Sequence, residues 1–259
     1  MDHRTAEQLI DALSAASGIT AVVGAGGKKS TLYRLIEAHR AIGTGRLLLT
    51  STVQIAAAPR VLDVETLVVD GDDADLAIAA ARRQDGAFLF AGPSIKPGRF
   101  EGLSRDLIPE LHERGAFALS LVKADGARMR MIKAPGDDEP ALPNGVSTLL
   151  PVVSARAFGR PLGERMAHRP ERLGQIIGAG EGTPLAPDHV ARLLASPDGA
   201  LRRAGNARIV PVINMVDTPE RLTLAREAAI TALAMTERFQ RVVLTSMISP
   251  TPLIEVVAG

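Results

Sequence analysis

A loop of unusual composition joins an apolar run to a helical one near the start of this chain. Residues 19–23 read as a short buried strand and residues 30–42 as a helix closed by Gly43. Between and overlapping them stands Gly24-Ala25-Gly26-Gly27-Lys28-Lys29-Ser30-Thr31. Glycines let a backbone take positive φ and approach an anion closely. The first N–H groups of a helix lack intrahelical acceptors, and the helix dipole favours negative charge at that end. Lysines add mobile cations for outer phosphates, and a hydroxyl beside them can hold Mg²⁺. With a second apolar run at residues 47–49, this is the strand–loop–helix–strand unit from which parallel sheets are built.

The remaining pattern extends that unit. An amphipathic helix is predicted over residues 5–16. Strands are predicted at 66–69, 87–91, 117–122, 149–153, 208–213 and 241–245, with helices at 75–83, 103–113, 187–194 and 219–235. Alternation of this kind predicts an α/β fold, P-loop-like, with a mostly parallel doubly wound sheet and helices on both faces. The whole chain, 1–259, reads as one such domain. Residues 124–148, rich in Gly, Pro and Asp, read as a long functional loop. Residues 154–187 read as less regular.

The loop does not fit a standard nucleotide motif cleanly. In G-x-x-x-x-G-K-[ST], taking Lys29-Ser30 as the final pair puts Val23 and Lys28 at the glycine positions. Taking Lys28 as the lysine puts Lys29 where the hydroxyl belongs. The dinucleotide pattern G-x-G-x-x-G would need glycine at Lys29, and the second strand ends in Thr50-Ser51-Thr52, without a carboxylate for a ribose. A ligand-free turn is the plain structural alternative. Two lysines beside three glycines at a helix start favour phosphate binding, with Gly24, Gly26, Gly27, Lys28, Lys29, Ser30 and Thr31 as the candidate residues.

Other candidates follow from position. Asp125, after the apolar run 117–122, suits a Walker-B-like role on Mg²⁺ together with Ser30; an ordinary Asp-Gly turn is the alternative. Thr50 and Thr52 lie at a strand's carboxyl end, where open α/β sheets bind ligands. Lys133 and Glu139 sit in a loop stiffened by Pro135, Pro140 and Pro143, placed to close over a substrate. His168 is a candidate acid–base group, because an unperturbed imidazole titrates near neutrality.

Composition narrows the classes. A formal net charge of +1 gives no strong field for nucleic acid. No apolar run approaches the roughly 20 residues of a membrane helix. The first residues lack a signal peptide's apolar core, so a cytoplasmic setting is expected. Without cysteine, this chain has no thiol with which to carry sulfur or selenium as a persulfide.

Gly24–Lys28, followed by Thr50-Ser51-Thr52, resembles the YqeC-like family, the accessory proteins of selenium-dependent molybdenum hydroxylases. The strongest part is Ala124-Asp125-Gly126, then Lys133-Ala134-Pro135, then Glu139-Pro140 and Pro143. These are similar to that family's E-A-D-G, K-x-P, E-P and final Pro. His168-Arg169-Pro170-Glu171 resembles another family segment. Asn214-Met215-Val216-Asp217 stands where the family has an N-K-x-D-like sequence that would read a base edge. Three departures stand out: Lys123 for Glu, Lys29 for Thr, and Met215 for Lys. The resemblance implies a nucleoside-triphosphate-binding accessory protein in maturation of a molybdenum hydroxylase or its cofactor. It would use ATP or GTP with Mg²⁺, through NTP hydrolysis or phosphoryl transfer. Lys133, Glu139 and His168 would join Asp125 in catalysis, and Asn214 and Asp217 would contact nucleotide. The alternative is a non-catalytic chaperone for nucleotide or molybdopterin.

Overall fold

The computed structural model describes residues 1–71, 73–81 and 85–259. The first half of the chain runs α1 (His3–Ala12), β1 (Gly18–Gly24), α2 (Lys28–Ala41), β2 (Leu47–Ser51), β3 (Ile55–Ala56), β4 (Val64–Val68), α3 (Ala74–Ala79), β5 (Ala87–Ala91), β6 (Arg99–Phe100) and α4 (Leu107–Arg114). Then come β7 (Leu119–Lys123), β8 (Ile132–Lys133), β9 (Val146–Ser154), β10 (Ala167–His168), α5 (Pro170–Ile177) and α6 (Pro187–Ala195). The chain ends with β11 (Arg208–Ile209), β12 (Val212–Asn214), α7 (Pro219–Met235), β13 (Arg241–Thr245) and β14 (Leu253–Ala258).

One large sheet has the order β14-β13-β12-β9-β1-β7-β2-β5-β4, with β11 beside β9. Every pairing in it is parallel except that of the edge strand β14 with β13. The expected mixed α/β architecture with a mostly parallel sheet is therefore present. Alternate residues of the strands face opposite layers, as the two-residue period of a strand requires. Val22, Leu47, Leu49 and Leu121 pack with α1 and α2 through Leu9, Leu13, Leu32 and Leu35. Ile19, Leu48, Phe88 and Val122 pack with α4 through Ile108 and Leu111. Ala21, Val23, Leu149 and Ile213 meet α5, α6 and α7. On α7 the inward stripe is Ala225, Ala228, Ala229 and Ala232, spaced as one helix face. Small residues there let α7 lie close against α6.

Several predicted bounds move. The first helix starts at His3 because Asp2 caps it, its carboxylate accepting from Thr5 N at 2.8 Å. The second starts at Lys28 rather than Ser30, so both lysines lie in its first turn. The predicted helix 75–83 is observed as Ala74–Ala79, and its end at Arg83 lies outside the described residues. The strand predicted at 208–213 is split at Val210-Pro211. The long loop is shorter than expected, since β9 begins at Val146 and β8 interrupts it. The segment 154–187 is more regular than expected: it carries β10 and α5.

The sheet order places the site. After β1 the chain builds β2, β4 and β5 on one side of it. It returns to insert β7 beside β1, then lays β9, β12 and β13 on the other side. Strand order thus reverses around β1, and ligands of open α/β sheets lodge at the carboxyl ends of strands at such a switch point.

Candidate functional site

The glycine-rich loop leaves β1 at that carboxyl edge and is held from below. Ala25 N donates to Val152 O of β9 at 2.8 Å. Asn214 Nδ2 donates to Gly26 O at 3.0 Å. Two glycines are required by this close packing. At Gly26, φ is +83° and a Cβ would stand 2.4 Å from Ser154 Cβ. At Gly27, φ is +136° and a Cβ would stand 2.0 Å from Asn214 Nδ2. The glycines are therefore explained by packing, and the donors above them are the informative feature. Among the described residues, no acceptor serves the N–H groups of Gly26, Gly27, Lys28, Lys29 and Ser30. No side chain caps α2 either.

The side chains of the loop differ in availability. Thr31 is buried and its hydroxyl donates to Gly27 O at 3.1 Å. Ser30 is half-buried and, among the described residues, its hydroxyl has no partner. Lys29 is exposed. Lys28 is buried and turned back: Nζ donates to Gly24 O and lies 2.8 Å from Asp125 Oδ1. Burial lowers the pKa of Lys28, and Asp125 opposes that shift.

Asp125 is the hinge of a buried charge chain. Only 2% exposed, it accepts from Gly24 N on Oδ2 at 2.8 Å, with Lys133 Nζ 2.9 Å from the same oxygen. Oδ1 faces Lys28 as an ion pair but receives no aligned hydrogen bond. Lys133 donates to Gly126 O and to Glu139 Oε2, each at 2.7 Å. Glu139 Oε2 also accepts from Gly136 N at 3.0 Å and Arg169 Nη1 at 2.7 Å. Burial raises the Glu139 pKa, but Lys133, Gly136 N–H and Arg169 together outweigh it and hold the carboxyl at about 2. Lys28, Asp125, Lys133, Glu139 and Arg169 thus alternate in sign from α2 to the start of α5.

His168 stands beside Lys133 as its strand partner across β8 and β10. Burial, then Arg169 and Lys133, hold its pKa below the ordinary imidazole value. Its ring has no hydrogen-bond partner among the described residues. The expectation that Lys133 and Glu139 sit on a loop closing over a substrate is corrected. Lys133 is 4% exposed on β8, and Ala134, Pro135 and Gly136 are buried. Arg172 and Arg203 pin the intervening turn at Asp137.

Four remaining candidates divide. Thr50 is fully buried, and its hydroxyl donates to Phe90 O at 2.8 Å, inside the sheet. The Thr52 hydroxyl is buried without a partner among the described residues. Asn214 is used up beneath the loop, since its Oδ1 accepts from Thr245 Oγ1 and Met247 N, each at 3.1 Å. Asp217 binds Ser246 Oγ at 2.7 Å and pairs with Arg156 and Arg221. These last two hold structure around β12 and β13 and present no joint edge to a base.

Sequence reasoning missed Arg169 as a member of the charge chain. Arg169 takes left-handed φ (59°) just before Pro170, and only the fold brings it to Glu139. A cavity of about 30 Å³ lies against Asp125 and Lys133, beneath Pro135, Pro140 and Leu194. That is room for water only, so a larger ligand must lie outside it, over the first turn of α2.

The family described as YqeC protein matches residues 20–171. A curated relative, "Uncharacterized protein YqeC" of Escherichia coli (strain K12), is 27% identical over 184 residues, covering 71% of this chain and 70% of the relative. No solved structure matches. The matched span runs from β1 to the start of α5 and so takes in the glycine-rich loop and the entire charge chain. The chain belongs to the YqeC family.

Proposed function

We propose, from that membership and the geometry of the site, that the protein binds a nucleoside triphosphate over the first turn of α2. There it would serve as an accessory protein in maturing a molybdenum hydroxylase or its cofactor. One observation carries the binding reading: the N–H groups of Gly26 to Ser30 have no acceptor among the described residues, at the carboxyl end of the central strand. Phosphate oxygens satisfy such donors. Lys29 and the Ser30 hydroxyl, on the same turn, have no partner among the described residues. The ligand would be ATP or GTP.

Asp125 and Ser30 are the residues to hold Mg²⁺, but Asp125 already lies between two ammonium groups at 2.8 and 2.9 Å. No group of three or more His, Cys, Asp or Glu among the described residues could hold a metal ion. The donor set therefore suits an ion that arrives bound to phosphates, and Mg²⁺ would supply charge neutralisation there. For the chain's own part, Lys28 would leave Asp125 for a phosphate. His168, held neutral by burial and its cationic neighbours, would take the proton of the attacking water or acceptor hydroxyl as its oxygen bonds to the terminal phosphorus and the nucleoside diphosphate leaves. The second reading is a chaperone that holds nucleotide or a phosphate-bearing cofactor such as molybdopterin without turnover. The Lys28–Asp125–Lys133 lock favours it, because it keeps Asp125 from a metal.

Calorimetric titration of wild type and a Lys29→Ala/Ser30→Ala variant with ATP and GTP, with and without Mg²⁺, tests the reading. The variant should bind at least tenfold more weakly with an unchanged unfolding temperature. Absence of binding by wild type at millimolar nucleotide would sink the triphosphate reading. Release of several phosphates per chain would exclude the chaperone.

A further inference from the structure

We propose that Lys123 and Thr52 form a second anion subsite beside the phosphate loop, which takes a phosphate or carboxylate group of a second molecule. The proposal rests on the reading that the loop itself holds a nucleotide, and it names what would sit next to it.

Lys123 is the last residue of β7, and its Cα pairs with Val22 on one side and Ser51 on the other. It therefore stands at the carboxyl edge between the strand that carries the loop and β2. Its Nζ donates to Gln54 O at 2.8 Å. Among the described residues no carboxylate pairs with it. Gln54, whose carbonyl accepts from Lys123, donates its Nε2 to Glu101 Oε1 at 2.8 Å. Around Lys123 the other charges are mostly of its own sign: Lys28, Lys133 and Lys29, against Asp125. Burial, then Lys28, lowers its pKa to about 8.

Thr52 joins it from the next strand, since Thr52 N donates to Lys123 O at 3.1 Å. Its hydroxyl is buried without a partner among the described residues. The segment after β6 lies against the Thr52 backbone so closely that a Cβ at Gly102 would meet Thr52 C at 2.3 Å. Leu103 N fixes that segment to Ser51 O at 2.8 Å. Neighbouring strand ends thus carry an ammonium without a carboxylate and a hydroxyl without a partner among the described residues. Buried groups in that state are costly, and an anion lodged between these two strand ends would relieve them. The end of β2 lies two strand spacings from β1, roughly 10 Å, while the loop is anchored toward β9 and β12. The subsite therefore flanks the loop on its opposite side.

The test titrates inorganic phosphate into wild type, Lys123→Met and Thr52→Val, each with and without saturating Mg·ATP, with Lys96→Met, an exposed lysine, as control. Phosphate should bind wild type in the presence of ATP. Lys123→Met should weaken it at least tenfold and Thr52→Val severalfold, with Lys96→Met unchanged and ATP affinity within about twofold throughout. Phosphate excluded by ATP, with Lys123→Met weakening both ligands, would assign Lys123 to the nucleotide's own phosphates and overturn the proposal while leaving the nucleotide reading intact. Phosphate binding that none of the variants changes would also overturn it. Lys123-dependent phosphate binding by a protein that ignores ATP would support the subsite and sink the nucleotide reading instead.

Discussion

The two edges of the central sheet both bury cations and treat them differently. At the amino edge, Arg46 lies between the rings of Phe88 and Phe117, 4.9 and 5.0 Å from their centroids. His39 is bonded at both nitrogens, to Ala15 O and Thr44 Oγ1. Those cationic or basic groups are enclosed by their own surroundings. At the carboxyl edge, Lys28 and Lys133 share the Asp125 carboxylate, and among the described residues Lys123 has none and five backbone donors at the start of α2 lack acceptors. Enclosure marks a structural role. Arg46 keeps unmet donors among the described residues but is covered by two aromatic faces. The surplus charge and open donors of the carboxyl edge lack such cover and mark a place where an anion completes the set.

The comparison breaks most easily at Asp125. Asp125→Asn preserves shape but removes the charge that Lys28 and Lys133 share. Removing one partner of a buried pair leaves the other uncompensated, at about 3–5 kcal/mol. Urea unfolding should show a loss of that size. By contrast, Glu255→Gln, which breaks the more exposed Arg226–Glu255 pair, should cost under about 1 kcal/mol. A cost below about 1 kcal/mol at Asp125 would mean the charge chain is not what holds this edge together.

Next in size is Lys123. An unfolded chain keeps this proton to the ordinary 10.5, whereas the folded protein sheds it at about 8. Below pH 8 both states are charged and the folded state bears the full cost of the buried ammonium. Between 8 and 10.5 the unfolded state binds more protons, so stability rises with pH and the cost drains away. Lys123→Met should therefore be more stable than wild type by about 3 kcal/mol at pH 7, with the two converging by pH 10.5. Equal stability across that range would show that Lys123 is better compensated than its contacts indicate.

Much of this arrangement was legible in the sequence. The β1–loop–α2–β2 unit followed from glycines and lysines between two apolar patterns, and Asp125 followed from its place after an apolar strand. What was not legible depends on contacts distant in the chain. Residues 124–148 read as a loop because Gly, Pro and Asp dominate locally. Their burial comes from Lys133 and Glu139 finding Asp125 and Arg169 across the fold. The helix α5 was missed because it has only eight residues and begins at an arginine in left-handed φ. Its signal was present in Pro170 at the first turn and in Leu173, Ile176 and Ile177 on one face. The edge strand β14 was missed as well. Asn214 was read as a base contact because of its neighbours in sequence, while its actual use is to tie Gly26 to β13.

The smallest effect is expected at the amino edge, and it tests whether the two edges are independent. Arg46 gains about 0.5–1 kcal/mol from each aromatic face. Against that, its Nε and Nη2 are buried without hydrogen-bond partners, at about 1–3 kcal/mol for an unsatisfied buried group. The two contributions nearly cancel. Arg46→Met keeps most of the stem that packs between Phe88 and Phe117 and removes both the attraction and the unmet donors. Its stability should therefore stay within about 1 kcal/mol of wild type, and its ATP and phosphate affinities should not move. A tenfold change in either affinity would mean that strain at the amino ends of β2 and β7 reaches Lys123 and Thr52 along those strands. The edges would then form one cooperative unit, and enclosure and ligand binding could no longer be assigned to separate ends of the sheet.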